Sequence, residues 1–134
     1  MVTIDTMNPA TAEVIGSFQQ DDATSISAKF QRASQAQNRW AQVSLNDRNE
    51  KIARFATLLK ANLDECALDL TRETGKPLSQ AKGEIKATQS RLNFFLEQTP
   101  AVLQPRKLAG YESGTSEEIH YEPLGTVANI SAWN

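Results

Sequence analysis

The sequence has little of three things that would narrow its chemistry at once. It holds one cysteine and one histidine in 134 residues. A single cysteine closes no internal disulfide and fits a reducing compartment, and the two residues together are too few for a Cys/His zinc site. The apolar stretches run only a few residues, far short of the roughly 20 needed to cross a bilayer. The amino terminus, Met1 to Asp5, lacks the basic and apolar regions of a secretion signal. Charge of one sign is also missing. Fourteen Lys and Arg face 16 Asp and Glu, a formal net charge of -2, whereas a nucleic-acid clamp would present a net basic face. The expectation is a soluble, cytoplasmic chain with no nucleic-acid or membrane partner, long enough to bury a core.

Glycine and proline are absent from residues 17–74, while six of the 11 fall between residues 100 and 125. Because these residues break regular structure, the long stretch without them predicts helices, and the ends predict turns and strands. Residues 3–19 predict a hairpin: Asn8-Pro9-Ala10-Thr11 is turn chemistry, and Val14 to Phe18 supply strand residues. Asp21 or Asp22 should cap a helix with Ile26, Phe30, Ala33, Ala36 and Trp40 on one face. Ser44 and Asp47 form a start signal for the next helix, with Ile52, Phe55, Ala56, Leu59 and Leu63 inward. That spacing continues through Cys66, Ala67 and Leu70 to Gly75-Lys76-Pro77, a helix stop. Ser79 should cap a further helix, with Ile85, Thr88, Leu92, Phe95 and Leu96 inward, ending before Pro100. Glu117 to Glu122 alternate as a half-solvated strand, and Thr126 to Ser131 read as a strand buried on both faces of a parallel sheet.

Few residues in this frame carry chemistry. Cys66 shares a helical face with Leu63 and Leu70, so it reads as a small hydrophobe and not as a nucleophile served by His120. Glu73-Thr74-Gly75-Lys76 lacks the earlier glycine and the following Ser or Thr of a phosphate loop. Glu112, Glu117, Glu118 and Glu122 read as a solvated face, with no loop to converge their oxygens on a cation. Ile130 to Asn134 are different, because they follow a buried strand without a helix beginning. Ligands of open α/β sheets sit beyond such strand ends. Read from the residues alone, Trp133 and Asn134 are either a packed strand end or the lining of a crevice, where an Asn amide suits a developing oxyanion.

The tail Glu122-Pro123-Leu124-Gly125-Thr126-Val127-Ala128-Asn129-Ile130-Ser131-Ala132-Trp133-Asn134 resembles the E-P-x-G-x-V-x-x-I-x-P-W-N segment of the aldehyde dehydrogenase superfamily. Asn8 to Thr11 with Glu13-Val14-Ile15 resemble its opening N-P-x-T-G-E-x-I. Arg48 heads a helix as the family's arginine does, and Glu73 to Pro77 match E-x-G-K-P. Ala12 stands where the family has Gly, and Ala132 where it has Pro.

The resemblance implies an α/β fold, the amino-terminal part of the aldehyde dehydrogenase fold. Its parts would be a hairpin and about four helices over residues 1–110, an oligomerisation-type strand segment over 111–123, and the truncated start of the dinucleotide-binding sheet over 124–134. It further implies an enzyme oxidising a small-molecule aldehyde to a carboxylate with NAD or NADP, through a cysteine thiohemiacetal, as a homo-oligomer. Asn134 matches the catalytic oxyanion donor, and Ile130, Ser131, Ala132 and Trp133 match the loop lining the cofactor. Some members hold a structural monovalent cation near the positions of Met7 and Glu84. The nucleophilic cysteine and the base glutamate lie downstream in the family, so these 134 residues alone are expected to be inactive. The alternative is a stand-alone, non-catalytic helical interaction module of the same ancestry.

Overall fold

A computed structural model describes residues 2–108 and 115–131. Strands β1 (Thr3–Met7) and β2 (Val14–Gln19) pair antiparallel, with Ile4 opposite Phe18 and an irregularity between Thr6 and Met7. The turn between them is built by Asn8. Its Oδ1 accepts from the Ala10 amide at 2.9 Å, and its carbonyl accepts from the Ala12 amide at 2.8 Å. Closing that loop puts Ala12 at φ 59°, in the left-handed region where the family's glycine would be unstrained.

Four helices follow: α1 (Ala23–Trp40), α2 (Leu45–Ala61), α3 (Leu63–Thr74) and α4 (Leu78–Val102). Their starts follow local chemistry. Asp22 accepts from the Ser25 amide at 2.8 Å and donates its own amide to Ser25 Oγ at 2.9 Å, a reciprocal capping box. Ser44 Oγ accepts from the Asp47 amide at 3.1 Å. Gly75 ends α3 at φ 74°, the left-handed cap expected of it.

Several details differ from the sequence reading. The helical spacing across Leu63 is interrupted at Asn62, whose side chain donates to the Leu58 carbonyl at 2.8 Å and competes with the backbone ladder. Pro77, not Ser79, caps α4. Its carbonyl accepts from the Gln80 and Ala81 amides, leaving Ser79 inside the helix. Helix α4 also runs through Pro100 to Val102, because a proline in the last turn forfeits only one ladder bond. Thr88 faces solvent and bonds back to the Glu84 carbonyl at 3.1 Å; Gln89 turns inward in its place.

Helix α4 packs on both α2 and α3. The buried side chains among the described residues are Ala56, Ala67 and Ala81, one from each of these helices. Small side chains let the backbones approach closely, and Leu59, Leu63, Leu70, Ile85, Leu92 and Leu96 half-cover the seam. An ion pair from Lys82 to Asp64 at 2.7 Å ties α4 to α3. The expected stripe of α1 stays open, with Ile26 and Phe30 exposed, as do Ile52, Phe55 and Phe95.

The two-residue strands β3 (Arg106–Lys107) and β4 (Glu118–Ile119) pair antiparallel, which is all that forms of the strand expected over Glu117–Glu122. Thr126 to Ser131 form no strand, and Val127 and Ile130 are 78% and 96% exposed. A buried strand needs ladder partners on both sides, and the described residues supply none. No helix among the described residues is long and apolar enough to cross a membrane.

Candidate functional site

Of the residues proposed for catalysis and cofactor contact, Ile130 and Ser131 are described. Both are exposed, and Ser131 Oγ donates to Asn129 Oδ1 at 3.2 Å. Ala132, Trp133 and Asn134 lie outside the described residues. Cys66 is a free thiol, half-covered on α3, and an imidazole nitrogen of His120 sits 3.1 Å from Glu118 Oε2.

The other motifs meet at the hairpin turn. A Cβ placed on Gly75 would stand 2.8 Å from Pro9 Cγ, so the opening Asn-Pro turn rests on the Gly-Lys-Pro turn. Asn8, Glu13 and Ile15 of the hairpin line a cleft with Asp69, Arg72 and Glu73 of α3. Beside it, Lys76 Nζ lies 2.5 Å from Glu84 Oε2. Among the described residues no three His, Cys, Asp or Glu side chains converge as a metal site. At Glu84 the carboxylate lies against the Lys76 ammonium, and about half of its side chain is open to solvent.

Arg48 sits in the first turn of α2, its Nε sheltered from solvent and without a hydrogen-bond partner; Thr71 Oγ1 and Gln89 Oε1 are in the same condition on α3 and α4. The spacing Ile85, Gln89, Leu92, Leu96 is itself helical, so an inward Gln89 was legible as a polar residue inside an apolar stripe. Three carboxyls are held below their ordinary range. The Lys29 ammonium hydrogen-bonds Asp21, the Ser25 amide hydrogen-bonds Asp22, and the Lys82 ammonium hydrogen-bonds Asp64.

Residues 2–134 match the aldehyde dehydrogenase family. The chain is 36% identical over 129 residues to succinate-semialdehyde dehydrogenase (NADP(+)) of Deinococcus radiodurans, covering 96% of this chain and 27% of that protein. It is 33% identical over 132 residues to glutarate-semialdehyde dehydrogenase of Pseudomonas aeruginosa, covering 98% and 27%. Among solved structures, succinate-semialdehyde dehydrogenase from Burkholderia pseudomallei superposes with a TM-score of 0.76 at 30% identity, covering 86% of this chain and 24% of that one. The chain thus spans about a quarter of the length of the curated relatives it matches.

Proposed function

Because this chain belongs to the aldehyde dehydrogenase family, we propose that it is the amino-terminal portion of an NAD- or NADP-dependent enzyme that oxidises a semialdehyde to a carboxylate. The observation that carries this reading is uncovered surface. The chain exposes 11073 Å² at 14.8 kDa, where a compact monomer of that mass exposes about 7,000 Å². The excess, about 4,000 Å² on this one chain, is larger than the roughly 1,000–2,500 Å² that one partner contributes to most obligate interfaces, as for a segment packed into a larger protein. It includes the open apolar face of α1 and the unpaired segment Leu124 to Ser131. A stand-alone module would have closed these faces over its own core, so the surface counts against the alternative.

In this reading residues 1–110 are the amino-terminal part of the cofactor-binding domain, 111–123 are an oligomerisation-type strand segment, and 124–134 are the truncated start of the dinucleotide-binding sheet. Ile130 offers apolar surface and Ser131 a hydroxyl to a dinucleotide, and by resemblance Ala132 and Trp133 belong to the same cofactor-lining segment. A bound nicotinamide would supply the hydride acceptor. Asn134 would donate its side-chain amide to the developing oxyanion. The names of the relatives support the substrate class, since succinate and glutarate semialdehydes both carry an aldehyde at one end and a carboxylate at the other.

The test is direct. Incubated with NAD or NADP and succinate or glutarate semialdehyde, the 134 residues alone should form no reduced cofactor, and the same residues joined to the remaining family-length sequence should form it. Turnover by the 134 residues alone would overturn the assignment, as would an inactive but folded full-length protein.

A further inference from the structure

Helix α1 stands apart from the other three. None of its side chains is buried, while α2, α3 and α4 each bury an alanine. It makes no extended packing contact with any other described element. Local chemistry starts it, through the Asp22–Ser25 capping box. Yet Ile26, Phe30, Ala33 and Trp40 line one stripe, and that stripe is open, with Ile26 57% and Phe30 60% exposed. A helix of this length holds in water mainly by packing such a face. On the proposed reading of the chain as one portion of a longer enzyme, we infer that the α1 stripe is a docking face. Its occupant is the family-length polypeptide outside these 134 residues, and not a second copy of them.

The size and spread of the open surface select that occupant. All five phenylalanines are more than half exposed, and they sit on β2, α1, α2 and α4. A twofold contact between copies covers one patch on each. Such a patch is roughly 1,000–2,500 Å² in most obligate dimers, so pairing through α1 would leave the other aromatic faces in water. About three-quarters of each curated relative lies outside the matched part, enough chain to cover several faces at once. Lys29, beside the stripe, is already paired with Asp21. The occupant therefore needs apolar surface at this point and no carboxylate.

Amide hydrogen exchange of α1 is to be compared in two proteins, the 134 residues alone and the same residues joined to the remaining family-length sequence. In the 134 residues alone, the amides of residues 26–40 should exchange at least about tenfold faster than those around Ala81, at every protein concentration. In the full-length protein they should slow by roughly 100-fold or more. Equal exchange of α1 in the two proteins would overturn the inference. So would slowing of α1 in the 134 residues as their concentration rises, since a second copy would then be the occupant. Phe30→Asp and Gln31→Asp in the full-length protein decide the case in which the 134 residues alone show no protection anywhere. Both place a carboxylate in mid-helix, but Gln31 lies off the stripe. Phe30→Asp should speed α1 exchange by roughly 100-fold over Gln31→Asp, the scale of losing one buried phenylalanine. Equal effects of the two substitutions would overturn the docking face, and a Phe30→Asp protein that fails to fold where Gln31→Asp folds supports it. Turnover is read separately. Protected α1 in an inactive full-length protein keeps the docking face and removes the enzymatic reading, whereas an active protein with α1 unprotected does the reverse.

Discussion

Pro9 and Gly75 touch where only glycine fits: a Cβ on Gly75 would stand 2.8 Å from Pro9 Cγ, at a backbone φ of 74°. The two residues are 66 positions apart and belong to different sequence motifs, the Asn-Pro hairpin turn and the Gly-Lys-Pro helix stop. Each motif has a local reason, a turn in one case and a left-handed cap in the other. Their contact adds a non-local one, since it fixes where the hairpin sits on α3.

Gly75→Ala is therefore expected to destabilise through two separable effects. The left-handed φ costs a non-glycine residue roughly 1–2 kcal/mol, and displacing Pro9 adds about 1 kcal/mol or more. Asparagine tolerates the left-handed region better but carries the same Cβ, so Gly75→Asn should lose less. Adding Pro9→Ala should recover the steric part and leave the φ part. Urea titrations followed by circular dichroism would measure this, and equal losses for Ala and Asn would show that the steric contact dominates.

Ala12 presents the opposite case, a left-handed φ of 59° occupied by a residue with a Cβ. Ala12→Gly removes a strain of roughly 1–2 kcal/mol and adds about 0.5–1 kcal/mol of chain entropy to be lost on folding. A net gain of up to about 1.5 kcal/mol follows, concentrated in the hairpin. Slower exchange of the Asn8 and Ala12 amides, which close the turn onto Glu13 and Asn8, is the readout. Faster exchange would contradict the strain.

What could be read from the sequence divides along the range of the interaction. The hairpin, the Asp22 and Ser44 caps and the Gly75 stop were legible because each is decided within a few residues. The core was not. The apolar periods of α1 and α2 correctly give one oily face, but a period cannot say whether anything covers it, and Ile26, Phe30, Ile52 and Phe55 remain exposed. The same limit applies to Val127 and Ile130, whose pattern is that of a buried strand while the described residues contain no strand to flank them. In α4 the spacing admitted either Thr88 or Gln89 inward, and Thr88 satisfies its hydroxyl on its own helix. The proposed site is the part least legible from local chemistry, since a residue such as Asn134 is identified by resemblance.

Acid should loosen the start of α1 before neutral-range conditions do. Asp22 is held below its ordinary value of 3.8 chiefly by the Ser25 amide, and Asp21 chiefly by the Lys29 ammonium. Because the folded values are depressed, their contribution is fully present above the unfolded value and is lost as pH falls through the folded one. Helicity at α1 should hold down to about pH 4 and decline below it. Asp22→Asn keeps a capping side chain but does not titrate, so its acid decline should be shallower. Ser44→Ala should instead lose about 1 kcal/mol with little pH dependence. A circular-dichroism titration of the three proteins separates the cases, and identical acid profiles for wild type and Asp22→Asn would remove the role of the Asp22 charge.

Asn134→Ala tests the proposed chemistry in the protein of full family length. An amide aimed at a developing oxyanion is stronger in the transition state than in the bound aldehyde, so its loss lowers kcat and not binding. The expected fall in kcat is on the order of 10² to 10³, with KM for the semialdehyde and the cofactor little changed. Ile130→Ala, which trims only the proposed cofactor contact, should show the converse pattern, a raised KM for NAD or NADP at nearly unchanged kcat. If Asn134→Ala raises KM and leaves kcat intact, Asn134 positions substrate and does not stabilise charge. An unaltered rate and KM would remove it from the site altogether.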